Sequence, residues 1–337
     1  MSRSCSAAAS PTPAEVHSPP LPSHRLASPR PPRSLPAAPA PPLDLLFHQD
    51  VIVATLASGS RGNCTYIGDQ RSGVLVDCGL SARQVLLRLE QVGLARARID
   101  AVLVTHEHTD HVGGARVLSQ RLRDRQGRPV PFFATRGTAS RVDARCSPGR
   151  FQPVVSGAPF RIGAMVVEPY SVPHDTVDPV AYLVGHRGVT VGVLTDLGRT
   201  TRLVERQVSR MDVAVVEFNH DVQMLLEGSY PWRLKQRVRG AHGHLSNEEA
   251  GALITTAASP RLAHLVLAHL SEENNLPNLA HEAACRALHR AGRTRVEVTV
   301  AQQAVPVGPM RVTAPAPVVA PQAPRPRRPR ATASGPH

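Results

Sequence analysis

The chain has 337 residues, 42% hydrophobic but only 3% aromatic, so it can bury a sizeable core only by filling it with aliphatic side chains. A net charge of +13 either favours a polyanionic partner such as nucleic acid or is the solvated surface of a basic protein. No apolar run approaches the roughly 18 residues of a membrane helix, which excludes a membrane span. Five scattered cysteines without a CxxC pair argue against a disulfide framework and for a reducing compartment, the cytoplasm.

In chain order, residues 1–49 come first and are rich in Pro, Ala and Arg. They lack the apolar core of a secretory signal. They are expected to be a disordered extension, or the product of a start codon placed too early. Residues 314–337 have the same composition and end in a basic tail that includes residues 325–330; that tail either touches nucleic acid or is simply solvated. Between them, residues 50–313 read as a single α+β domain. Strands are expected over 51–57, 64–68, 73–77, 100–105, 130–134, 164–172, 180–186, 189–195, 212–217, 263–268 and 295–300, where short apolar runs meet turn residues. Helices are expected over 82–92, 112–125, 136–145, 199–209, 231–239, 246–257 and 277–291. Ser246 with Glu249 has the spacing of a capping box. Strands and helices in this order suit two sheets packed face to face with helices outside.

Many of the expected strands empty into a loop that carries chemistry. The turn Ser58–Asn63, with Ser60, Arg61 and Asn63, is either a backbone cradle for phosphate or a tight hairpin. Asp77 closes the strand 73–77; it either hydrogen-bonds a metal ligand or its loop, or caps the strand. Cys78 beside it is either a thiolate ligand or an inert buried thiol. After the run 101–104 comes Thr105-His106-Glu107-His108-Thr109-Asp110-His111. Side chains alternate along an extended segment, so His106 and His108 point the same way, while Asp110 and His111 follow a turn. Imidazole nitrogen and carboxylate oxygen suit zinc, iron or manganese.

The same pattern recurs downstream. His174, Asp196 and His269 each follow an apolar run and open a loop. One ion is expected to take His106, His108 and His174, a second Asp110, His111 and His269, with Asp196 bridging them. Two such cations hold a hydroxide at neutral pH and offset the charge of an in-line displacement. Asn219 and His220 follow the strand 212–217, and His220 either contacts substrate or supports the structure. The segment 231–239 is basic with one tryptophan and either tracks a phosphate backbone or forms a solvated face. His244, just before the helix at Ser246, is a general acid, a phosphate contact or a helix-cap histidine. Asp110 and His244 are the expected catalytic residues.

The HxHxDH run with later His, Asp and His resembles the metallo-β-lactamase-fold hydrolases. That resemblance implies an αββα sandwich with metals at one edge of two sheets. The motifs 56–63, 104–111, 217–221, 228–232, 243–247 and 269–275 are similar to the bacterial YycJ branch, also called WalJ or VicX. Membership there implies a metal-dependent phosphodiesterase, best described as a double-stranded DNA 5′-exonuclease linked to mismatch repair. Phe218 stands where that branch usually carries a small residue, a change that bears on the substrate pocket, and the long tails are atypical. Two other readings use the same site: a carbonyl hydrolase for a lactone, thioester or lactam, and a non-catalytic regulatory protein that keeps its metals. A small, closed apolar pocket would favour the first, and loss of ligand residues the second. The sequence assigns no oligomeric state.

Overall fold

A computed structural model describes residues 50–124 and 126–313. Both segments expected to be disordered, residues 325–330 among them, lie outside the described residues. Strands β1 (Val51–Ala57), β2 (Cys64–Gly68), β3 (Gly73–Val76), β4 (Ala101–Leu103), β5 (Phe132–Thr135) and β6 (Phe151–Val154) form one sheet in sequential order. A second sheet holds β7 (Phe160–Ile162), β8 (Met165–Ser171), β9 (Val180–His186), β10 (Val189–Leu194), β11 (Val213–Glu217), β12 (His264–Ala268) and β13 (Glu297–Val300). A last strand, β14 (Val307–Val312), returns to pair antiparallel with β1. The helices are α1 (Ala82–Gln91), α2 (Thr109–Val112), α3 (Ala115–Arg121), α4 (Arg136–Arg141), α5 (Arg202–Val208), α6 (Val222–Glu227), α7 (Trp232–Val238), α8 (Asn247–Ala257) and α9 (Pro277–Arg290).

Period-two alternation builds the layers. Val51, Val53, Val74 and Val76 of the first sheet share a buried cluster with Val167, Tyr182, Val191 and Val215 of the second. Ile52, Ala54 and Leu56 cluster instead with Val85 and Leu89 of α1 and Leu118 of α3. Ala214, Val216, Leu265 and Leu267 cluster with Val204 of α5, Leu253 of α8 and Ala284 of α9. The result is the expected αββα sandwich. Strands β3 to β6 are mutually parallel, as are β10 to β13. Parallel strands bring their carboxyl ends to one edge, which is where ligands gather on such sheets.

The expected elements and the structure differ at boundaries and edges. The helix expected over 112–125 ends at Arg121, because Asp124 Oδ1 accepts from the N–H groups of Gln126 and Arg128, both at 2.9 Å, and closes a turn. The helix expected over 136–145 ends at Arg141, and Asp143 plays the same part by accepting from Arg145 N at 2.8 Å. Three strands went unforeseen. In β6, Gln152 and Pro153 are exposed, β7 has only three residues, and β14 contains Pro309. All three lie at sheet edges, where proline is tolerated and the apolar pattern is weak. Helices α2 and α6 are too short for a helical period to register. The capping box of α8 is present: Glu249 N donates to Ser246 Oγ at 3.1 Å and Ser246 N to Glu249 Oε2 at 2.9 Å.

Candidate metal centre

The loop after β4 is held from below by the segment after β3. Thr105 donates its backbone N–H to Asp77 Oδ1 at 2.9 Å and its hydroxyl to Asp77 Oδ2 at 2.9 Å. Cys78 N donates to His111 O at 2.8 Å, and Asn63 N to Asp110 O at 2.7 Å. A Cβ at Gly79 would overlap the Asp110 carbonyl, so only glycine lets the two segments approach this closely. Asp77 Oδ2 also lies 2.8 Å from His111 Nδ1. That contact fixes Nδ1 as the protonated nitrogen and aims Nε2 at Asp196 Oδ2, 3.0 Å away. Asp77 thus supports one of the expected ligands. Cys78 is fully buried, and burial pushes its thiol well up, as befits an inert sulfur.

The other expected ligands converge from separate strand ends. His106 Nε2 lies 3.1 Å from His108 Nδ1, and the His106 ring centroid lies 5.0 Å from that of His174. His174 follows β8 and donates Nδ1–H to Gly243 O at 3.1 Å, which turns Nε2 inward. Asp196, just past β10, has Oδ1 3.8 Å from His174 Nε2 and 3.5 Å from His269 Nε2. His269, just past β12, lies 3.5 Å from Asp110 Oδ2 and takes its backbone N–H to Ser58 Oγ at 2.7 Å. Asp77, Asp196 and His269 all have left-handed backbones, with φ of 60°, 58° and 54°. Such a conformation costs a non-glycine residue on the order of 1 kcal/mol or more. It departs from the extended strand and turns the following chain away. The network around each residue holds it there.

The donor atoms of His106, His108 and His174 lie within 4.8 Å of one another, as do those of Asp110, His111 and His269. Asp196 joins His106 and His111 in one such group and His269 in another, so it touches both triads. Inside this cluster His174 Nε2 and Asp196 Oδ2 are buried without a hydrogen bond. Unsatisfied buried polar atoms are costly. A set of imidazole nitrogens and carboxylate oxygens pointing at common centres fits divalent cations. Burial draws His106 well below the ordinary imidazole pKa. Burial alone would lower His111 and His269 too, but Asp196 and the neighbouring carboxylates hold both well above it. Those two rings therefore sit where positive charge is favoured, a demand that a cation can meet.

Glu217, at the end of β11, was not singled out from the sequence. It is fully buried; Oε1 accepts from His244 Nδ1 at 2.7 Å and lies 3.4 Å from His269 Nδ1, while Oε2 accepts from Leu197 N and Leu245 N at 2.9 and 3.1 Å. The available signal was an acid closing the wholly apolar run Val213–Val216. Burial would raise Glu217, yet His244 and His269 draw it down to about 2. Burial would lower His244, but Glu217 and Asp196 raise it above its usual value. Asn219 donates to His269 O at 2.9 Å. His220 is buried, drawn down to about 4 by burial, and its carbonyl accepts from Asn247 N at 2.8 Å; the donor groups around Asp196 do not include it. Phe218 packs in the core cluster between the second sheet and its helices.

The turn at Ser58–Asn63 supports the cluster. The N–H groups of Ser58, Gly59, Arg61, Gly62 and Asn63 all reach protein acceptors, which leaves little of a phosphate cradle. Asn63 Nδ2 lies 3.2 Å from Asp110 Oδ2 and 3.0 Å from His111 Nε2. Arg61 pairs with Glu272. Ser60, His108, Asp110, Asp196, His244 and His269 line a cleft of about 260 Å³, whose other walls include Asp175, Gly243 and residues of α7.

Comparisons with known proteins bear on this geometry. Residues 73–270 match the beta-lactamase superfamily domain. The chain is 33% identical over 241 residues to the exodeoxyribonuclease WalJ of Streptococcus pneumoniae, covering 70% of this chain and 87% of that one. It is 31% identical over 242 residues to the exodeoxyribonuclease YycJ of Bacillus anthracis, covering 71% and 89%. Among solved structures, the metallo-beta-lactamase fold protein YhfI of Bacillus subtilis superposes with a TM-score of 0.55 at 18% identity, over 76% of this chain and 99% of that one.

Proposed function

The chain belongs to the beta-lactamase superfamily and is a metal-dependent hydrolase, and from that premise we propose that it is an exodeoxyribonuclease cleaving the phosphodiester bonds of DNA from the 5′ end. The observation that carries this reading is similarity to two exodeoxyribonucleases over nearly nine-tenths of their length, in a chain whose donor cluster is complete. On this reading DNA ends exposed during repair are the substrate, residues 50–313 form the hydrolase domain, and the protein works in the cytoplasm.

We assign His106, His108 and His174 to one ion, Asp110, His111 and His269 to the other, and Asp196 to both. Zinc or manganese suits this donor set. Two divalent ions held there would supply an activated water at neutral pH and positive charge to offset that of the reacting phosphate. The chain's own residues do the rest. Asp77 and Gly243 O hold His111 and His174 in the tautomers that leave Nε2 free. Glu217 holds His244 by Nδ1, so the opposite nitrogen of a ring that lines the cleft is free to pass a proton to a leaving oxygen.

Asp196→Ala should remove detectable digestion of end-labelled duplex DNA and lower the bound metal. Equal digestion by variant and wild type would remove Asp196 from the site. A wild type loaded with zinc or manganese that leaves DNA ends intact, while hydrolysing a lactone or thioester, would replace the nuclease reading with the carbonyl-hydrolase one.

A further inference from the structure

Of the basic residues that the sequence brings forward, Arg61 and Lys235 are committed elsewhere. Arg61 pairs with Glu272 and does not line the cleft. Lys235 is buried and donates Nζ to Leu226 O at 2.6 Å and to Gly228 O at 2.7 Å, which ties α6 to α7. Arg237 differs. Among the described residues lining the cleft it carries the only permanent positive charge. Its Nε donates to Asp175 Oδ2 at 2.6 Å, and among the described residues its terminal nitrogens have no other acceptor. Asp175 Oδ1 in turn lies 3.4 Å from His174 Nε2. The guanidinium is thus steered by one edge and leaves its other donors unspent.

The backbone that carries Arg237 is pinned to the centre. His244 N donates to Val238 O at 2.9 Å. A Cβ at Gly243 would overlap the carbonyls of Arg237 and Val238, and the Gly243 carbonyl is the one that orients His174. Arg237, His174 and His244 are therefore linked through one short stretch of chain. A guanidinium with free paired N–H groups is the side chain best shaped to grip two oxygens of a phosphate. The same cleft presents three carboxylates, Asp110, Asp175 and Asp196, and Arg237 is the fixed cation among its described side chains that offsets them.

We propose that Arg237 is the contact for the non-bridging oxygens of the scissile phosphate, and that Asp175 is a positioning residue that orients it through Nε. This rests on the phosphodiesterase reading. A neutral carbonyl substrate would need no such grip.

The test uses the metal-loaded full chain and its Arg237→Gln, Arg237→Lys and Asp175→Asn variants. Calorimetric binding of thymidine 5′-monophosphate is measured beside the kinetics of bis-p-nitrophenyl phosphate and the metal content. Arg237→Gln should weaken nucleotide binding and raise KM by about tenfold or more, the loss expected for a charge-assisted hydrogen bond, and should lower kcat as well, because charge on the reacting phosphate loses a donor, with metal content little changed. Lysine should restore only part, because an ammonium cannot grip two oxygens at once. Asp175→Asn should raise KM less than Arg237→Gln does. Unchanged nucleotide binding in Arg237→Gln overturns the assignment, as does a loss explained by missing metal. A wild type that cleaves no phosphodiester but loses nucleotide binding on Arg237→Gln refutes the nuclease and keeps the anion contact.

Discussion

At the scale of single residues, the site depends on side chains that hold other side chains. Asp77 binds Thr105 through that residue's backbone N–H and hydroxyl and His111 through Nδ1, and the αL backbone at Asp77, Asp196 and His269 leaves only a weak signature in sequence, since Asp and His are enriched at positive φ but far commoner elsewhere. Replacing Asp77 by asparagine puts an amide N–H where a carboxylate oxygen faced His111 or Thr105. The variant should bind metal about 10- to 100-fold more weakly, as loss of such a support typically does, and lose activity in proportion while keeping its secondary structure. Metal titration with circular dichroism decides this; affinity within twofold of wild type would show that Asp77 only caps its strand. Glu217 was missed for a related reason. An acid ending an apolar strand is visible in sequence, but its partners His244 and His269 lie 27 and 52 positions away.

At the scale of elements, structure set by a local rule is legible in the sequence. The capping box of α8 is a four-residue device, and both of its hydrogen bonds form. Ser246→Ala should cost about 1 kcal/mol, the usual cost of an N-cap, read as a lower urea midpoint with an unchanged slope; no change in midpoint would mean that Glu249 and tertiary packing hold the helix start alone. Structure set by tertiary context is not legible in the sequence. β6, β7 and β14 are edge strands without a clear alternation. The ends of α3 and α4 were set by aspartates that cap turns rather than continue a helix. The Ser58–Asn63 turn left two roles open, and the hydrogen bonds show it bracing His269 and Asp110.

At the scale of the molecule, the two sheets are fastened at both edges. Opposite the candidate metal centre, Asp69 after β2 accepts from Arg187 Nε and lies against His186 Nε2, both at 2.9 Å, so the first sheet is clasped to the end of β9 in the second. Burial would raise the Asp69 carboxyl, but hydrogen bonds from His186, Arg71, Arg187 and Ser72 lower it to about 2. Its folded pKa lies below the unfolded value near 4, so its stabilisation is complete above about pH 4 and is lost as pH falls through about 2. Asp69→Asn should therefore be less stable at neutral pH by roughly 2 kcal/mol and should lose less further stability between pH 4.5 and 2. Urea midpoints for both proteins across that range test it, and parallel curves would mean the clasp contributes nothing electrostatic.

What the sequence determined by itself was the set of strand-and-loop units and the residue types at their ends. Burial periodicity and short motifs are local, and a polar ligand closing an apolar run is visible without a fold. Only the tertiary structure decided which strand ends meet, which imidazole nitrogen each carbonyl or carboxylate leaves free, and that Arg237 rather than Arg61 faces the cleft. Those outcomes depend on contacts such as His174 to Gly243 and Ser58 to His269. They join segments 69 and 211 residues apart in the chain, and no pattern of neighbouring residues encodes such contacts.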